Sequence, residues 1–331
     1  MAAPDRPVGQ PRLLVPDIDP TALAGWSPDL AMVELGGATM GTRWRTLFAA
    51  PPALDPVSLN HAVERRLEQL VGEMSHWSPD SVISRFNCGA PGCWATLPPD
   101  FAAVIAAALQ VAEASGGAFD PAIGQLADLW GYGPAPVSRL PDEQAVAAAL
   151  ECGGWRSLSF DPAARRLRRG GDVRLDLSGI AKGYAVDCLS AVLLAHGVGH
   201  SLVEIGGEFV GRGMRPDGDP WWVDLEAPGA LAAPLRLALH QLAIATSGDY
   251  VRGRHTIDPR SGQPVAHALS ISVVHRSAIF ADAWATALGV AGPDEMHRLA
   301  EAHDLAVRAL IRRRDGITEW FSPALSRMLV D

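Results

Sequence analysis

Two pairs of residues in this 331-residue chain have types and spacings suited to phosphate chemistry. Asp282 and Thr286 stand four apart in AIFADAWATALGV, so a helix there carries a carboxylate and a hydroxyl on one face, amid alanine, isoleucine, tryptophan and leucine. Burying an unpaired carboxylate is costly, so Asp282 needs a cation or several donors. Two hard oxygen ligands also suit Mg²⁺, which takes one or two carboxylates and completes its shell with water and phosphate. A salt bridge with a helix back-bond is the competing structural use of the pair. Asp176 and Lys182 bracket a second stretch, DLSGIAK, where alternation over Val173 to Leu177 predicts a short strand and the spacing of Ile180, Tyr184, Cys188, Leu189, Val192 and Leu193 predicts a helix. Ser178 is placed to cap that helix and Gly197 to end it. Unpaired N–H groups, the positive end of the helix dipole and a lysine one turn in would welcome a phosphate, and Asp176 a donor or a cation beside it. Solvation of the lysine at an ordinary strand-to-helix turn is the bland alternative.

The elements that must position these residues follow from pattern. An amphipathic helix is predicted over Leu59 to Met74, an alanine-rich one over Pro99 to Ser115, and further helices over Pro141 to Cys152, Ser277 to Val290 and Pro293 to His303. AMVELGGATMGTRWRTLFAA reads as two strands with Met40-Gly41-Thr42 at the bend, and SLVEIGGEFVGRGMRPDGDPWWVDLE as three strands broken by Gly206-Gly207 and a Pro-Asp-Gly turn. Strands follow at Leu235 to Leu239 and Leu242 to Thr246, the latter running into a Ser247-Gly248-Asp249 turn. The segment AFDPAIGQLADLWGYGP, with a phenylalanine and an aspartate held between a glycine stop and a proline, reads as a structured loop, and RHTIDPRSGQPV as a loop stiffened by Pro259 and Pro264. Strands and helices intersperse without regular βαβ alternation, so an α+β fold is expected: one domain of mixed, mainly antiparallel sheet over 31–331, preceded by an extended arm over 1–30.

Composition narrows the function classes. With 48% apolar residues the chain can bury a sizeable core, and a net charge of −9 disfavours nucleic acid or an anionic membrane as main partner. The basic run Arg165, Arg166, Arg168 and Arg169 reads as a solvated hairpin turn. No apolar run is long enough to span a bilayer, so no transmembrane segment is expected. The first residues hold no apolar leader and no cysteine placed for lipid, which makes the cytoplasm the default compartment. Cys88, Cys93, Cys152 and Cys188 lack paired zinc-ligand spacing; Cys88 and Cys93 would be either a small-loop disulfide in an oxidising compartment or two free thiols.

From about Met40 to Leu288 the chain resembles the ApbE family of FAD:protein FMN transferases. The resemblance is carried, in order, by Met40-Gly41-Thr42; Met74-Ser75 with Trp77 and SRFN; GGAFDP at Gly116 to Pro121; DLSGIAKGYAVD at Asp176 to Asp187; IGGE at Ile205 to Glu208; ATSGDY at Ala245 to Tyr250; HTIDPRSGQP at His255 to Pro264; and ADAWATAL at Ala281 to Leu288. Each is weak alone; their order makes them specific.

The resemblance implies an α+β enzyme that binds FAD and Mg²⁺, splits the pyrophosphate, joins FMN to a threonine of a partner flavoprotein and releases AMP. Carried over by position, Met40, Trp77, Ala118, Phe119, Asp120, Asp176, Lys182 and Ile257 would touch FAD; the Gly179 carbonyl, Asp282 and Thr286 would hold the metal. Trp77, Phe119 and Met40 are expected to form a wall against a flat ring. His255 is the expected general base. Replacing Asp282 with Ala should then abolish turnover and leave the fold largely intact. Trp77 stands where tyrosine is common, and Glu204 where asparagine is usual. The expected acceptor is a redox-membrane or flavin-reductase type subunit. Because most relatives are exported, the bacterial periplasm or envelope is the alternative compartment. An Mg²⁺-dependent FAD pyrophosphatase and a flavin-binding carrier without turnover are the rival functions.

Overall fold

The computed structural model describes residues 11–134, 137, 139–225, 232–249, 255–314 and 316–330. Eight strands lie side by side in chain order: Ala31–Thr39, Thr42–Ala50, Ser201–Ile205, Glu208–Arg212, Leu242–Gly248, Ala268–His275, Ala306–Arg313 and Gly316–Phe321. Every neighbouring pair is antiparallel. Helices are α1 (Pro56–Met74), α2 (Val82–Cys88), α3 (Pro99–Ala114), α4 (Gly124–Leu129), α5 (Glu143–Glu151), α6 (Ala181–Ala195), α7 (Ala278–Val290), α8 (Pro293–Ala302) and α9 (Pro323–Ser326).

Alternation along the strands sorts side chains between two cores, as a period of two requires. Val203, Ile205, Val210, Ala243 and Val273 face the helices and join the core under α1, α3, α6 and α7. Leu202, Phe209, Ile244 and Val274 face the opposite way, against a second sheet of Arg12–Leu14, Trp221–Leu225, Leu235–Leu239 and Leu329–Val330. In that sheet Arg12–Leu14 pairs parallel with Leu235–Leu239, so the sheet content is mixed but mainly antiparallel, in agreement with the α+β expectation. Residues 1–10 of the expected arm lie outside the described residues; of the remainder, Arg12–Leu14 is a paired strand, with Leu14 wholly buried. A three-stranded sheet, Trp94–Thr96 with Arg166–Arg169 and Leu158–Asp161, caps the helical side. Among the described residues no helix is long and apolar enough to cross a membrane.

Local features depart from the pattern reading where long-range partners intervene. Val173 to Leu177 is extended but forms only one isolated bridge, Arg174 to Ile123. At its centre a side chain stands in for a partner strand: Asn87 accepts from the Leu175 N–H at 2.8 Å and donates to its carbonyl at 2.9 Å. The helix that follows is not capped by Ser178; its N-cap residue is Ile180, which has no capping side chain of its own. Ser247 and Gly248 continue their strand, paired with Ile271 and Ser270, because the neighbouring strand is long enough to receive them. Arg169 is 3% exposed and donates to the Val173 carbonyl at 2.8 Å, so it is a buried clamp and not part of a solvated turn. All four cysteines are free thiols.

Candidate functional site at the crossing of two helices

Helices α6 and α7 meet near their N-termini, and the contact is made by a glycine. A Cβ on Gly183 would fall 2.7 Å from the Asp282 Cβ and closer still to the Ala278 carbonyl, so only glycine lets the two backbones approach. Each helix then supplies the other's cap. Asp282 on α7 accepts the Gly183 N–H of α6 at 2.9 Å. Asp187 on α6 accepts the N–H groups of Ala278 and Ile279 at 3.0 Å each, and the Ser277 hydroxyl at 2.7 Å, at the start of α7. Neither helix bears a capping side chain of its own; across the crossing Asp187 takes two N–H groups of α7 and Asp282 takes one of α6. On its outer side α6 is tied down by Tyr184, whose hydroxyl donates to Asp100 at 2.6 Å while Arg66 grips the same carboxylate at 2.6 and 2.7 Å.

This crossing gathers Gly179, Lys182, Asp282 and Thr286. The Thr286 hydroxyl oxygen lies 2.8 Å from the point where a Gly179 Cβ would be, so the turn before α6 rests on the hydroxyl face of α7. Lys182 pairs with Glu208, the first residue of its strand. Glu208 reaches this position through a two-residue turn: Gly206 and Gly207 have φ of +61° and +102°, and Ile205 pairs across to Glu208. Within its motif the sequence marks no role for Glu208; a carboxylate directly after a paired-glycine turn between buried strands is the signal that could have found it. Burial pushes the Glu208 carboxyl up to about 7, with the Asp282 charge adding to the rise and Lys182 opposing it. Burial also raises Asp282, against the Lys182 charge and the Gly183 hydrogen bond. Two buried carboxylates thus share one lysine, and the locality welcomes further positive charge.

Asp176 lies on the approach to this cluster, accepting the Ser178 N–H at 2.8 Å, with the His76 Nδ1 3.8 Å from the same oxygen. The Asp176 N–H donates to the Pro121 carbonyl at 2.9 Å, which draws the Ala118 to Asp120 segment alongside. There Asp120 accepts the Ala122 N–H at 2.7 Å and the Trp155 N–H at 3.0 Å, and burial raises its carboxyl to about 6 against those two bonds. Ala118 is buried against Val265 and against Val290 at the end of α7. Met40 sits at the tip of its hairpin with φ of +48°, and the Gly206 N–H donates to the Arg43 carbonyl at 3.2 Å, so this tip lies beside the turn that presents Glu208.

The three expected wall residues do not share one environment. Trp77 is 63% exposed and lies 5.6 Å from the His76 ring, Met40 is half-buried, and the Phe119 ring is 3% exposed within the main core. Phe119 therefore has only backbone to offer a ligand. His255 and Ile257 sit on a separate loop that docks on α4: Ile257 is buried against Leu126 and Val146, His255 meets Tyr132 edge-on at 6.4 Å, and Trp130 donates to the Gly262 carbonyl at 2.8 Å. Through Val265 this loop packs against Ala118 and against Val290 at the far end of α7, away from the crossing itself.

A family model described as the ApbE family matches residues 40–311. The FAD:protein FMN transferase of Klebsiella pneumoniae is 33% identical over 322 residues, spanning 92% of this chain and 91% of its own. That of Vibrio cholerae serotype O1 is 32% identical over 323 residues, spanning 92% and 96%. Among solved structures, the flavin transferase ApbE from Vibrio cholerae superposes with a TM-score of 0.85 at 31% identity, covering 90% of this chain and 99% of that one. The apo form of the Pseudomonas stutzeri flavinyl transferase ApbE gives 0.84 at 34% identity, covering 90% and 97%.

Proposed function

The chain belongs to the ApbE family, and from that premise we propose that it transfers FMN from FAD to a threonine hydroxyl of a partner flavoprotein in an Mg²⁺-dependent reaction that releases AMP. The observation that carries this reading is the meeting of Asp282 and Thr286 of α7 with Gly179 and Lys182 at the start of α6, which sets a lysine beside oxygen ligands.

Mg²⁺ fits the residues present. No group of three or more His, Cys, Asp or Glu suited to a metal exists among the described residues, but this ion needs only one or two carboxylates. The Gly179 carbonyl, Asp282 and the Thr286 hydroxyl would hold it, beside the buried Glu208 carboxyl. Polarisation of a phosphoryl oxygen and neutralisation of its charge are what the ion supplies when bound. Lys182 binds the diphosphate and offsets the charge that develops on it. Ala118 and Asp120 lie along the approach, with Asp176, to orient the nucleotide, and Trp77 and Met40 offer surfaces to a flat ring. His255 takes the proton of the acceptor hydroxyl as its oxygen bonds to the FMN phosphorus and the bond to the AMP phosphate breaks.

Incubation with FAD, Mg²⁺ and a threonine-bearing redox subunit, read by intact mass, tests the reading. FMN on the acceptor is the expected product. Free FMN and AMP with an unmodified acceptor would make the protein an FAD pyrophosphatase, and unchanged FAD would leave it a flavin carrier.

A further inference from the structure

Glu208 is 1% exposed, yet only half of its carboxylate is used. Oε1 accepts from Lys182, while Oε2 is buried with no hydrogen-bond partner among the described residues. Holding a fold together with a buried carboxylate that has an idle oxygen is costly, since an apolar residue of similar volume would serve packing as well. The charged groups around it come from two other elements, Lys182 of α6 and Asp282 of α7. Of the two carboxylates, Glu208 takes the ammonium by direct contact. Asp282 is held instead by the Gly183 N–H and feels Lys182 through space. The turn at Gly206-Gly207 sets the register that directs Glu208 inward, and Met40's hairpin braces that turn through the Gly206 to Arg43 hydrogen bond.

Resting on the function proposed above, we propose that Glu208 is a positioning residue for the transfer: its carboxylate holds the Lys182 ammonium at the start of α6, beside Asp282 but apart from it. Lysine is a flexible point charge, and without Glu208 the Asp282 carboxylate, which already feels its charge, competes for it. With Glu208 in place, the lysine meets the diphosphate of FAD and the Asp282 carboxylate stays available to the metal.

The test is a double-mutant cycle of Glu208→Gln and Lys182→Met, read by FAD affinity from flavin fluorescence, Mn²⁺ affinity from its paramagnetic resonance signal, transfer rate by mass, and melting temperature. Glu208→Gln should fold, lower the transfer rate by roughly 10- to 100-fold, the usual effect of losing a group that orients a ligand-binding residue, and weaken Mn²⁺ binding as the lysine moves onto Asp282. In the Lys182→Met background the same substitution should change the rate less than about twofold, because Glu208 acts through the lysine. An unchanged rate in Glu208→Gln, or an equal loss with and without Lys182, would overturn the proposal. Should Glu208→Gln not fold, Glu208→Asp makes the comparison with the charge kept and the reach shortened; a wild-type rate there would also overturn it. A wild-type protein that neither binds FAD nor modifies an acceptor defeats the underlying function instead, whatever Glu208 does.

Discussion

Asp187 and Asp282 exchange helix caps: the first, on α6, closes the N-terminus of α7, and the second, on α7, closes that of α6. The exchange locks the two helices in one relative position, and that position decides whether Asp282 and Thr286 face Gly179.

Asp187→Ala should therefore do more than remove a cap. Loss of an N-cap costs about 1 to 2 kcal/mol, and Asp187 closes three donors at once, so urea unfolding should show a loss at the upper end of that range. A shifted α7 should also weaken Mn²⁺ binding measured on the folded fraction. Full metal affinity in Asp187→Ala would show that the caps serve stability alone.

The same exchange revises what Asp282→Ala should do. Because the carboxylate caps α6, the alanine variant should lose stability as well as turnover, whereas Asp282→Asn keeps an acceptor for the Gly183 N–H and removes only the charge. Asp282→Asn and Thr286→Val should both stay folded and lose transfer at limiting Mg²⁺. Wild-type rates across an Mg²⁺ titration would remove these residues from the metal site.

His255→Ala should leave FAD affinity within a few-fold of wild type while transfer falls roughly 10²- to 10⁴-fold, the usual range for losing a general base. Titration and acceptor mass, taken on the same preparation, distinguish this from a binding defect. A rate within a few-fold of wild type would pass the role to Asp258 or to a phosphate oxygen of the substrate.

Trp77 exposes 63% of its surface, so its removal should change stability by less than about 0.5 kcal/mol. If the ring stacks on FAD, Trp77→Ala should weaken binding by about 1 kcal/mol, roughly fivefold, and alter the quenching of flavin fluorescence. Equal titration curves would take the ring out of the site.

Asp120 makes a prediction in pH. Burial raises its carboxyl to about 6, from the 3.8 that is ordinary for an exposed aspartate. The folded state thus holds a proton that the unfolded state releases, and stability falls as pH rises through the window from about 4 to 6. The shift corresponds to roughly 3 kcal/mol at most. Asp120→Asn cannot titrate, so the stability difference between it and wild type should move in the variant's favour across that window and stay level above it. A pH-independent difference would contradict the raised value.

Much of this protein is written in local spacing. The alternation in SLVEI and EFVGR sets which side chains face each layer, the four-residue step from Asp282 to Thr286 puts both on one face, and glycines mark the turns at Gly41 and Gly206-Gly207. Such features depend on backbone periods of 2 and 3.6 residues, so a single segment suffices to determine them. What only the tertiary structure decided is which distant group completes each local arrangement. Ser178 has the chemistry of a cap, but the N-terminus of α6 is closed by Asp282, far onward in the chain, because Gly183 lets α7 come near. Val173 to Leu177 has a strand's alternation, but at its centre Asn87, not a neighbouring strand, takes the hydrogen bonds of Leu175. Phe119 has the ring of a ligand wall but spends it in the core, and Glu208 has the look of a surface carboxylate until the packed helices and strands bury it beside Lys182. Burial and charge pairing are sums over elements far apart in sequence, and desolvation acts only once those elements have packed.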